Sequence, residues 1–352
     1  MDWKRTFHLG KDTVLGLDIG SSAVKMVVLG KGKSGYSVAA ASIAQIAKGD
    51  QGNGDQRTNM VHAIRECFSK IQTKVKCAAC GVSGQDVAVR DFEFAPLQDA
   101  EIAAAVSLEA SQVCPFNVTD IAVDYHVIPN GDAQTTGVLV AATNTIVAEK
   151  TQLVKDAGLK CVLMDIDGLA LLNCHHGSVN GSGKSPAGQS VAILNVGASH
   201  TTLAIMSNNG WPYIRDMSQG GEDIIMQIAA LNDTSTETVR GILFDDMPPN
   251  ELNLRDGLEK TCQKLTTDIT GTLRFYATQA KSTDVEKILV CGGFALAKGF
   301  VDLLNNRLGT KAVLWNPFDH MRIKSNRRCE EICAKTGPAM AVATGLAMRT
   351  IS

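Results

Sequence analysis

The feature that most constrains the fold of this chain is a strand, turn and strand pattern that occurs twice. The two copies are VLGLDIGSSAVKMVVL at residues 14–29 and VAILNVGASHTTLAIM at residues 191–206. In each copy a glycine turn separates two apolar runs, which predicts a hairpin. Asp18 of the first copy aligns with Asn195 of the second. Two such units in the same register predict a duplicated sheet domain.

The residues after the first copy predict an α/β layer. A third strand is expected at 36–46, a helix with one apolar face at 57–71, and a further strand, KCAACGV, at 76–82. Strands, then a helix, then a strand beside the first form a layer that must bury both faces of its sheet. We therefore assign residues 1–86 to a first lobe.

A small inserted α+β subdomain is predicted to follow at 87–159. Its strands are expected at 87–94, 121–128 and 138–143, around a turn at 129–131, and its helices begin at the cap residue Asp99 and at Thr145. The chain is then expected to return to the first lobe, to form a second lobe, and to end with a helix on the first lobe. The corresponding ranges are 160–189, 190–335 and 336–352.

The polar residues 175–189 are expected to form a loop, and Gly181-Ser-Gly-Lys-Ser185 within it resembles part of a P-loop. The full P-loop motif needs a further glycine where Ser178 stands, no strand leads into the segment, and Pro186 follows it. We interpret the segment as an ordinary loop.

The two hairpin turns carry groups that a phosphate would need. Gly20 and Gly197 allow backbone N–H groups to approach an anion, and neighbouring hydroxyl groups add donors. Two such turns facing each other would clamp a phosphate. Asp18 suits a hydrated Mg²⁺, which prefers one or two carboxylates with water, and Lys25 can reach the phosphates. The alternative is that each turn merely closes a hairpin. The hydroxyl-bearing residues are Ser21, Ser22, Ser199, Thr201 and Thr202.

A third glycine site lies in the predicted second lobe. A long helix is expected at 256–281 and a strand at 287–290, and residues 291–294, Cys-Gly-Gly-Phe, follow before another helix. Glycines between a strand and a helix bring the backbone close to a ligand, here a purine and ribose. A plain strand-to-helix turn is the alternative.

Charge and hydropathy exclude some classes of partner and location. The formal net charge is −2 and the Lys and Arg residues do not gather in one run, so no nucleic-acid partner is expected. No apolar run has the length and position of a signal peptide or the length of a membrane span, so we expect a cytoplasmic location.

The ten cysteines are expected to stay reduced and mostly to pack as small apolar residues. Cys77 and Cys80 have the C-x-x-C spacing of metal and redox sites, and Cys329 and Cys333 are one helical turn apart. Metal binding by either pair is the alternative. The possible additional ligands are Cys174, His175 and His176.

The three glycine turns, in this order and spacing, resemble the pattern of the actin, Hsp70 and sugar kinase superfamily. Within it, the chain resembles the PilM family of type IV pilus assembly proteins over almost its whole length. It is also similar to FtsA in the position of the inserted subdomain. The resemblance implies an actin-like ATPase fold with two ribonuclease H-like sheet domains. The segments that carry it are residues 14–25, 164–173, 218–224, 273–276 and 337–349.

The resemblance also implies a site for ATP and Mg²⁺. Relatives that hydrolyse ATP usually carry Asp where Asn195 stands and Glu-Pro where Asp167-Gly168 stands. Asn195 would contact Mg²⁺ through water without adding charge, and Asp167 would orient an attacking water, so hydrolysis should be weak or absent. The implied first phosphate loop is Asp18, Gly20, Ser21, Ser22 and Lys25, the second is Gly197, Thr201 and Thr202, and the nucleoside site is Gly220, Gly221, Gly292, Gly293 and Phe294.

The function implied by the resemblance is that of a cytoplasmic, ATP-binding scaffold. Its partners would be other pilus assembly proteins and the N-terminal tail of a PilN-like inner-membrane protein, which would recruit it to the membrane. The tail would bind in a groove between the first lobe and the inserted subdomain. The alternatives are a small-molecule kinase, an FtsA-like filament protein with a terminal amphipathic helix, and a GspL-like secretion component that continues into a membrane span.

Overall fold

A computed structural model describes residues 13–32, 35–47, 53–71, 73–116, 120–128, 134–179, 190–207, 210–245, 247–248, 253–279 and 284–349. The chain divides into two compact units. The first is formed by the described residues of Met1–Gly81, Lys150–Lys184 and Asn316–Ser352, and the second by those of Val82–Glu149 and Ser185–Trp315.

The described residues form three sheets and the helices that cover them. The strands are β1 Leu15–Ile19, β2 Ala23–Gly32, β3 Gly35–Gln45, β4 Cys77–Val82, β5 Val87–Phe94, β6 Ile121–Val127, β7 Thr135–Thr143, β8 Lys160–Ile166, β9 Ser190–Val196, β10 Thr201–Met206, β11 Pro212–Met217, β12 Val285–Cys291, β13 Lys311–Leu314 and β14 Arg322–Ile323. The α-helices are α1 Asn53–Ile71, α2 Asp99–Val113, α3 Asn144–Asp156, α4 Asp167–Val179, α5 Gly221–Leu231, α6 Thr236–Phe244, α7 Leu254–Thr261, α8 Gln263–Ala277, α9 Phe300–Arg307, α10 Arg327–Thr336 and α11 Ala341–Ala347.

The first unit contains a six-stranded sheet in the order β14-β3-β2-β1-β4-β8. β1, β2 and β3 form an antiparallel meander, and β4 pairs with β1 in parallel. The predicted meander and the strand beside it are therefore confirmed. Met26 and Val28 of β2 pack in one core with Ile64 of α1, whereas Val27 and Leu29 pack in another core that includes α11. Alternation along the strand thus buries both faces of the sheet.

Two glycines allow α11 to pack closely in the first unit. A methyl group on Gly16 of β1 would overlap the main-chain oxygen of Ala343 in α11. A methyl group on Gly345 of α11 would likewise overlap the main-chain oxygen of Ala170 in α4. The C-terminal helix α11 therefore packs on the first sheet.

The second unit repeats the topology of the first sheet. Its five strands lie in the order β11-β10-β9-β12-β13, with β9 antiparallel to β10 and parallel to β12. Leu194 and Leu203, from the two arms of the hairpin, are fully buried in one core with Ile224 of α5 and Phe300 of α9. The predicted duplication of the sheet domain is confirmed.

The inserted subdomain lies within the second unit as a three-stranded antiparallel sheet, β5-β7-β6, covered by α2. Gln98, not Asp99, is the N-cap of α2, because its backbone N–H donates to Glu101 Oε2 at 3.0 Å. Two hydrogen bonds join the segment before β5 to the second sheet. Ser83 Oγ lies 3.0 Å from His200 Nε2, and Gly84 N donates to Asp216 Oδ2 at 2.7 Å.

The long helix predicted at 256–281 is two helices in the structure, separated at Cys262 with φ −89° and ψ 2°. Gln219 Nε2 donates to Thr261 O at 2.9 Å, so a side chain is hydrogen-bonded to the last carbonyl of α7. A side chain inserted into the i to i−4 ladder is a known cause of helix bends. Gly271, where the sequence suggested weakness, lies inside α8.

Other boundaries also differ from the prediction. α4 continues to Val179, so residues 175–179 of the predicted loop are helical, and Gly181-Ser-Gly-Lys-Ser185 lies outside the described residues. Residues 316–335, predicted in the second lobe, belong to the first unit, because β14 pairs with β3 and Cys329 and Cys333 of α10 pack against Val38 and Ala41 of β3.

Candidate functional site

The first predicted phosphate loop is the turn between β1 and β2. Gly20 N donates to Ala23 O at 3.1 Å and closes the turn. Asp18 and Lys25 face each other across the ladder, and Lys25 Nζ lies 3.0 Å from Asp18 Oδ2. The side chain of each is about six-sevenths buried, with 15% of Lys25 and 14% of Asp18 exposed. Ser21 is exposed and Ser22 half-buried. The turn therefore presents one ion pair beside two serines, of which Ser21 is exposed.

Asp167 lies in the same unit, at the first residue of α4 directly after β8. A methyl group on Gly81 would overlap Asp167 Oδ1, so the carboxylate reaches the end of β4 only because residue 81 is glycine. Since β4 is parallel to β1, Asp167 and Asp18 lie at the same end of the sheet. Ligands of open α/β sheets bind at the carboxyl ends of the strands.

The second predicted phosphate loop is the turn between β9 and β10, which Gly197 N closes by donating to His200 O at 3.0 Å. Thr201 and Thr202 are fully buried. Their hydroxyls donate inside the unit, Thr201 Oγ1 to Gln219 O at 2.7 Å and Thr202 Oγ1 to Asp216 Oδ1 at 2.5 Å. These threonines therefore shape the turn, and the exposed hydroxyl beside it belongs to Ser199.

Asn195 lies opposite Thr202 on β9, at the position equivalent to Asp18. Its Oδ1 is 3.9 Å from Cys291 Sγ. Gly292, with φ +94°, follows in a conformation that favours glycine, and a methyl group there would approach Asn195 Oδ1 to 2.7 Å. Asn195 and the third glycine site are thus close together in the structure. Their spacing in the sequence did not predict this proximity.

The nucleoside residues predicted from the resemblance converge in the second unit. Gly221 N donates to Gly197 O at 2.8 Å, and a methyl group on Gly220 would overlap the Ala198 carbonyl oxygen. A methyl group on Gly221 would meet the ring of Phe294, which is 3% exposed and lies edge-on to Phe300. Phe294 is therefore a core residue beneath the turn, whereas Gly293 is exposed with open space over its Cα.

A cavity of about 530 Å³, a volume typical of small-molecule sites, is lined by residues that include Gln219, the neighbour of Gly220 in the chain. Its lining consists of residues that the sequence analysis did not select. The sequence signal that could have identified them is the i, i+4 spacing of Asp223 with Gln227 and of Lys260 with Lys264. The two pairs lie far apart in sequence. The lining residues are Ser218, Gln219, Asp223, Gln227, Lys260, Thr261, Gln263 and Lys264.

The cavity residues fit a nucleotide in their chemistry. Gln219 is 5% exposed, and its Oε1 has no hydrogen-bond partner among the described residues although its Nε2 is bound. A buried amide oxygen of this kind is an acceptor for a ligand donor. Lys260 and Lys264 supply positive charge, and the exposed amide of Gln263 adds donors.

Few of the described side chains are candidates to bind a metal ion. In the described part of the chain, no group of three or more His, Cys, Asp or Glu side chains is arranged to hold a metal ion. Asp18 with water still fits Mg²⁺, which needs few protein ligands.

All ten cysteines are free thiols. On β4, Cys77 is half-buried and Cys80 is buried, and a hydrogen bond with Cys161 together with burial raises the pKa of Cys80. Cys329 and Cys333 are both buried, with 4.0 Å between their sulfur atoms. The hydrogen bond from Cys333 lowers the pKa of Cys329 to about 6. Their burial fits the interpretation of these residues as small core side chains.

The described helices include none with both the length and the apolar character that a membrane crossing requires.

Comparison with known proteins gives one sequence family and several similar structures. The sequence family described as "Type IV pilus assembly protein PilM" matches residues 16–351. A solved structure described as "PilM-PilN type IV pilus biogenesis complex" is similar with a TM-score of 0.81 and 22% identity, over 97% of this chain and 100% of that one.

Two further structures resemble the chain more weakly. The ethanolamine utilization protein EutJ from Carboxydothermus hydrogenoformans has a TM-score of 0.57 and 14% identity, over 97% of this chain and 90% of that one. A diol dehydratase-reactivating factor in nucleotide-free form has a TM-score of 0.51 and 10% identity, over 96% and 99%. The fold is that of the actin-like ATPases. With the family match extending over nearly all of its length, the chain belongs to the PilM family of type IV pilus assembly proteins.

Proposed function

We propose that the protein is an ATP-binding scaffold of type IV pilus assembly that binds the cytoplasmic N-terminal tail of a PilN-like inner-membrane protein. The observation that carries this proposal is the family match over residues 16–351. The similar structure with a TM-score of 0.81 is described as a complex of PilM with PilN, which supports the choice of partner. We place its action in the cytoplasm, at the inner membrane to which the partner recruits it, alongside other pilus assembly proteins.

The nucleotide part of the proposal is supported by the chemistry of each unit. In the second unit, the cavity offers the Gln219 acceptor and two lysines, and the Gly293 backbone is open to an approaching ligand. In the first unit, Gly20, Ser21 and Lys25 provide donors for phosphate oxygens. Asp18 would be the carboxylate of the first unit that holds a hydrated Mg²⁺, and the ion would neutralise phosphate charge.

Turnover is proposed to be weak or absent. We assign the orientation of a water to Asp167, which lies at the same sheet end as Asp18. Asn195 carries no charge at the position equivalent to Asp18, so one metal-holding carboxylate is missing from the pair. The residues therefore favour holding a nucleotide over consuming it.

Calorimetry with ATP, ADP and AMP tests nucleotide binding directly. Lys264→Ala, in the cavity, should weaken ATP binding about fivefold, or about 1 kcal/mol. Lys311→Ala, which removes an exposed lysine from β13 of the same unit, is the matched control and should change nothing. Failure of ATP and ADP to bind at millimolar concentration, with and without the partner peptide, would remove the nucleotide part of the proposal.

The peptide part is tested with the N-terminal peptide of the neighbouring PilN-like protein and a scrambled peptide of equal composition. We propose that the peptide contacts the inserted subdomain, where Leu108 of α2 is 63% exposed. Leu108→Asp should abolish peptide binding and leave ATP binding unchanged. Leu231→Asp, at a leucine 57% exposed on α5, is the control. Equal affinity for the real and scrambled peptides would contradict the partner assignment.

A further inference from the structure

Lys150 is a lysine of the first unit to which the sequence pattern assigned no role. It lies in α3, is half-buried, and its ammonium group donates to the main-chain oxygen of Ile19. Ile19 is the last residue of β1 and stands between Asp18 and Gly20 of the first glycine turn. The helix thus brings a cation to the turn from 131 residues further along the chain.

Lys150 lies at the carboxyl end of β1, since its ammonium group donates to Ile19 O. Lys160 N, at the start of β8, donates to Lys76 O just before β4, so the two strands start side by side. The hydrogen bond with Cys161 and burial raise the pKa of the Cys80 thiol most, and beside them the charge of Lys150 lowers this pKa and that of Asp167 raises it. Lys150 therefore belongs to the same end of the sheet as Asp18, Lys25 and Asp167.

The hydrogen bonding of Lys150 leaves capacity for a ligand. An ammonium group has three donors, and Ile19 O uses one of them. Among the described residues, Lys150 forms no ion pair with a carboxylate, whereas Lys25 nearby is paired with Asp18. A half-buried charge without a counter-charge is unfavourable unless an anion binds it. If Lys150 served only to hold Ile19 O by a hydrogen bond, an uncharged donor would serve equally well.

We propose that Lys150 is an anion-binding residue for the terminal phosphates of a nucleoside triphosphate. This inference rests on the nucleotide binding proposed above. Lys150 would donate its spare N–H groups to phosphate oxygens from the α3 side of the turn, while its bond to Ile19 O holds the ammonium in place. Because only a di- or triphosphate extends beyond the first phosphate, Lys150 distinguishes ATP from AMP.

The test compares ATP and AMP binding by calorimetry in Lys150→Met, Lys150→Gln and Lys150→Arg, with thermal melting of each variant. Glutamine can still donate to a carbonyl but carries no charge, and arginine keeps the charge. Lys155→Met removes an exposed lysine from the same helix and is the matched control. Lys150→Met and Lys150→Gln should weaken ATP binding tenfold or more and AMP binding less than twofold. Lys150→Arg should retain most of the ATP affinity, and Lys155→Met should change neither.

An equal loss of ATP and AMP affinity, together with a lowered melting temperature in Lys150→Met and Lys150→Gln, would assign Lys150 a structural role and overturn the inference. Unchanged ATP binding in Lys150→Gln would also overturn it. If the wild-type protein binds neither nucleotide, the proposed function fails first, and inorganic triphosphate then serves as the probe of Lys150. Equal triphosphate affinity of wild type and Lys150→Gln, including no binding by either, would overturn the inference as well.

Discussion

Lys25 Nζ and Asp18 Oδ2 lie 3.0 Å apart, directly across the ladder between β1 and β2. The equivalent pair in the second hairpin is Thr202 and Asn195, both uncharged, and Thr202 donates to Asp216 instead. The duplicated hairpins have thus diverged in chemistry while keeping one backbone. The first hairpin pairs a lysine with an aspartate, whereas the buried threonines of the second hairpin donate their hydroxyls to groups of their own unit.

Replacing Asp18 should separate metal binding from nucleotide binding. In Asp18→Ala the carboxylate is lost and Lys25 is released to pair with phosphate, so ATP should bind nearly as well without metal. Mg-ATP binding should weaken by tenfold or more, or about 1.4 kcal/mol. Calorimetry with Mg²⁺ and with a chelator gives the two affinities. An equal loss in both conditions would indicate misfolding, and circular dichroism of the variant checks for that.

Restoring a carboxylate in the second hairpin should strengthen metal binding. Asn195→Asp adds a negative charge at the position equivalent to Asp18, with little change in shape. We expect higher Mg²⁺ affinity in the presence of ADP, and a detectable rise in the slow release of phosphate from ATP. Asn326→Asp is the control, since Asp and Asn cap a helix about equally well. Wild-type turnover of many per second would contradict the proposal of weak hydrolysis.

Two helical glycines should respond to alanine with opposite signs. Gly345→Ala places a methyl group on the main-chain oxygen of Ala170, and overpacking of this kind costs about 1–3 kcal/mol. Gly271→Ala in α8 meets no atom within 4 Å and should stabilise by about 0.5–1 kcal/mol, because alanine loses less backbone entropy in a helix. Urea unfolding under reducing conditions measures both. A stabilised Gly345→Ala would contradict the described packing of α11 on α4.

The buried thiol of Cys67 should make stability fall at alkaline pH. Burial raises the pKa of Cys67 from 9.0 to about 12, against the opposing effect of the hydrogen bond with Ser42. Because the folded pKa lies above the unfolded one, its stabilising contribution is complete below pH 9 and is lost as the pH rises toward 12. The loss for one thiol is at most about 1.4 kcal/mol per pH unit.

The alanine variant isolates this effect from the lysines and tyrosines that titrate in the same range. Cys67→Ala should be less stable than the wild type at pH 8, and the difference should shrink as the pH rises from 9 to 10.5. Urea unfolding in reductant at each pH gives the two curves. A difference that stays constant with pH would show that Cys67 is not held neutral by burial.

The sequence by itself determined the duplicated hairpins, the inserted α+β subdomain and the glycine turns. These follow from local patterns, because alternation, turn glycines and a repeated motif act within a few residues of each other. The alignment of Asp18 with Asn195 also needed no structure, and together with the resemblance to relatives that hydrolyse ATP it predicted weak metal binding and weak hydrolysis. The likeness of whole segments supplied the family, and the match over residues 16–351 confirmed it.

Only the tertiary structure decided which of the predicted polar groups remain available to a ligand. Thr201 and Thr202 are turned into the second unit, where Gln219 O and Asp216 accept their protons. Gln219 also donates to Thr261 O where one expected helix is two helices, and both residues line the cavity. Lys150 reaches the first glycine turn from a distant helix. Each of these contacts joins residues far apart in sequence, and their geometry depends on packing that no local pattern encodes.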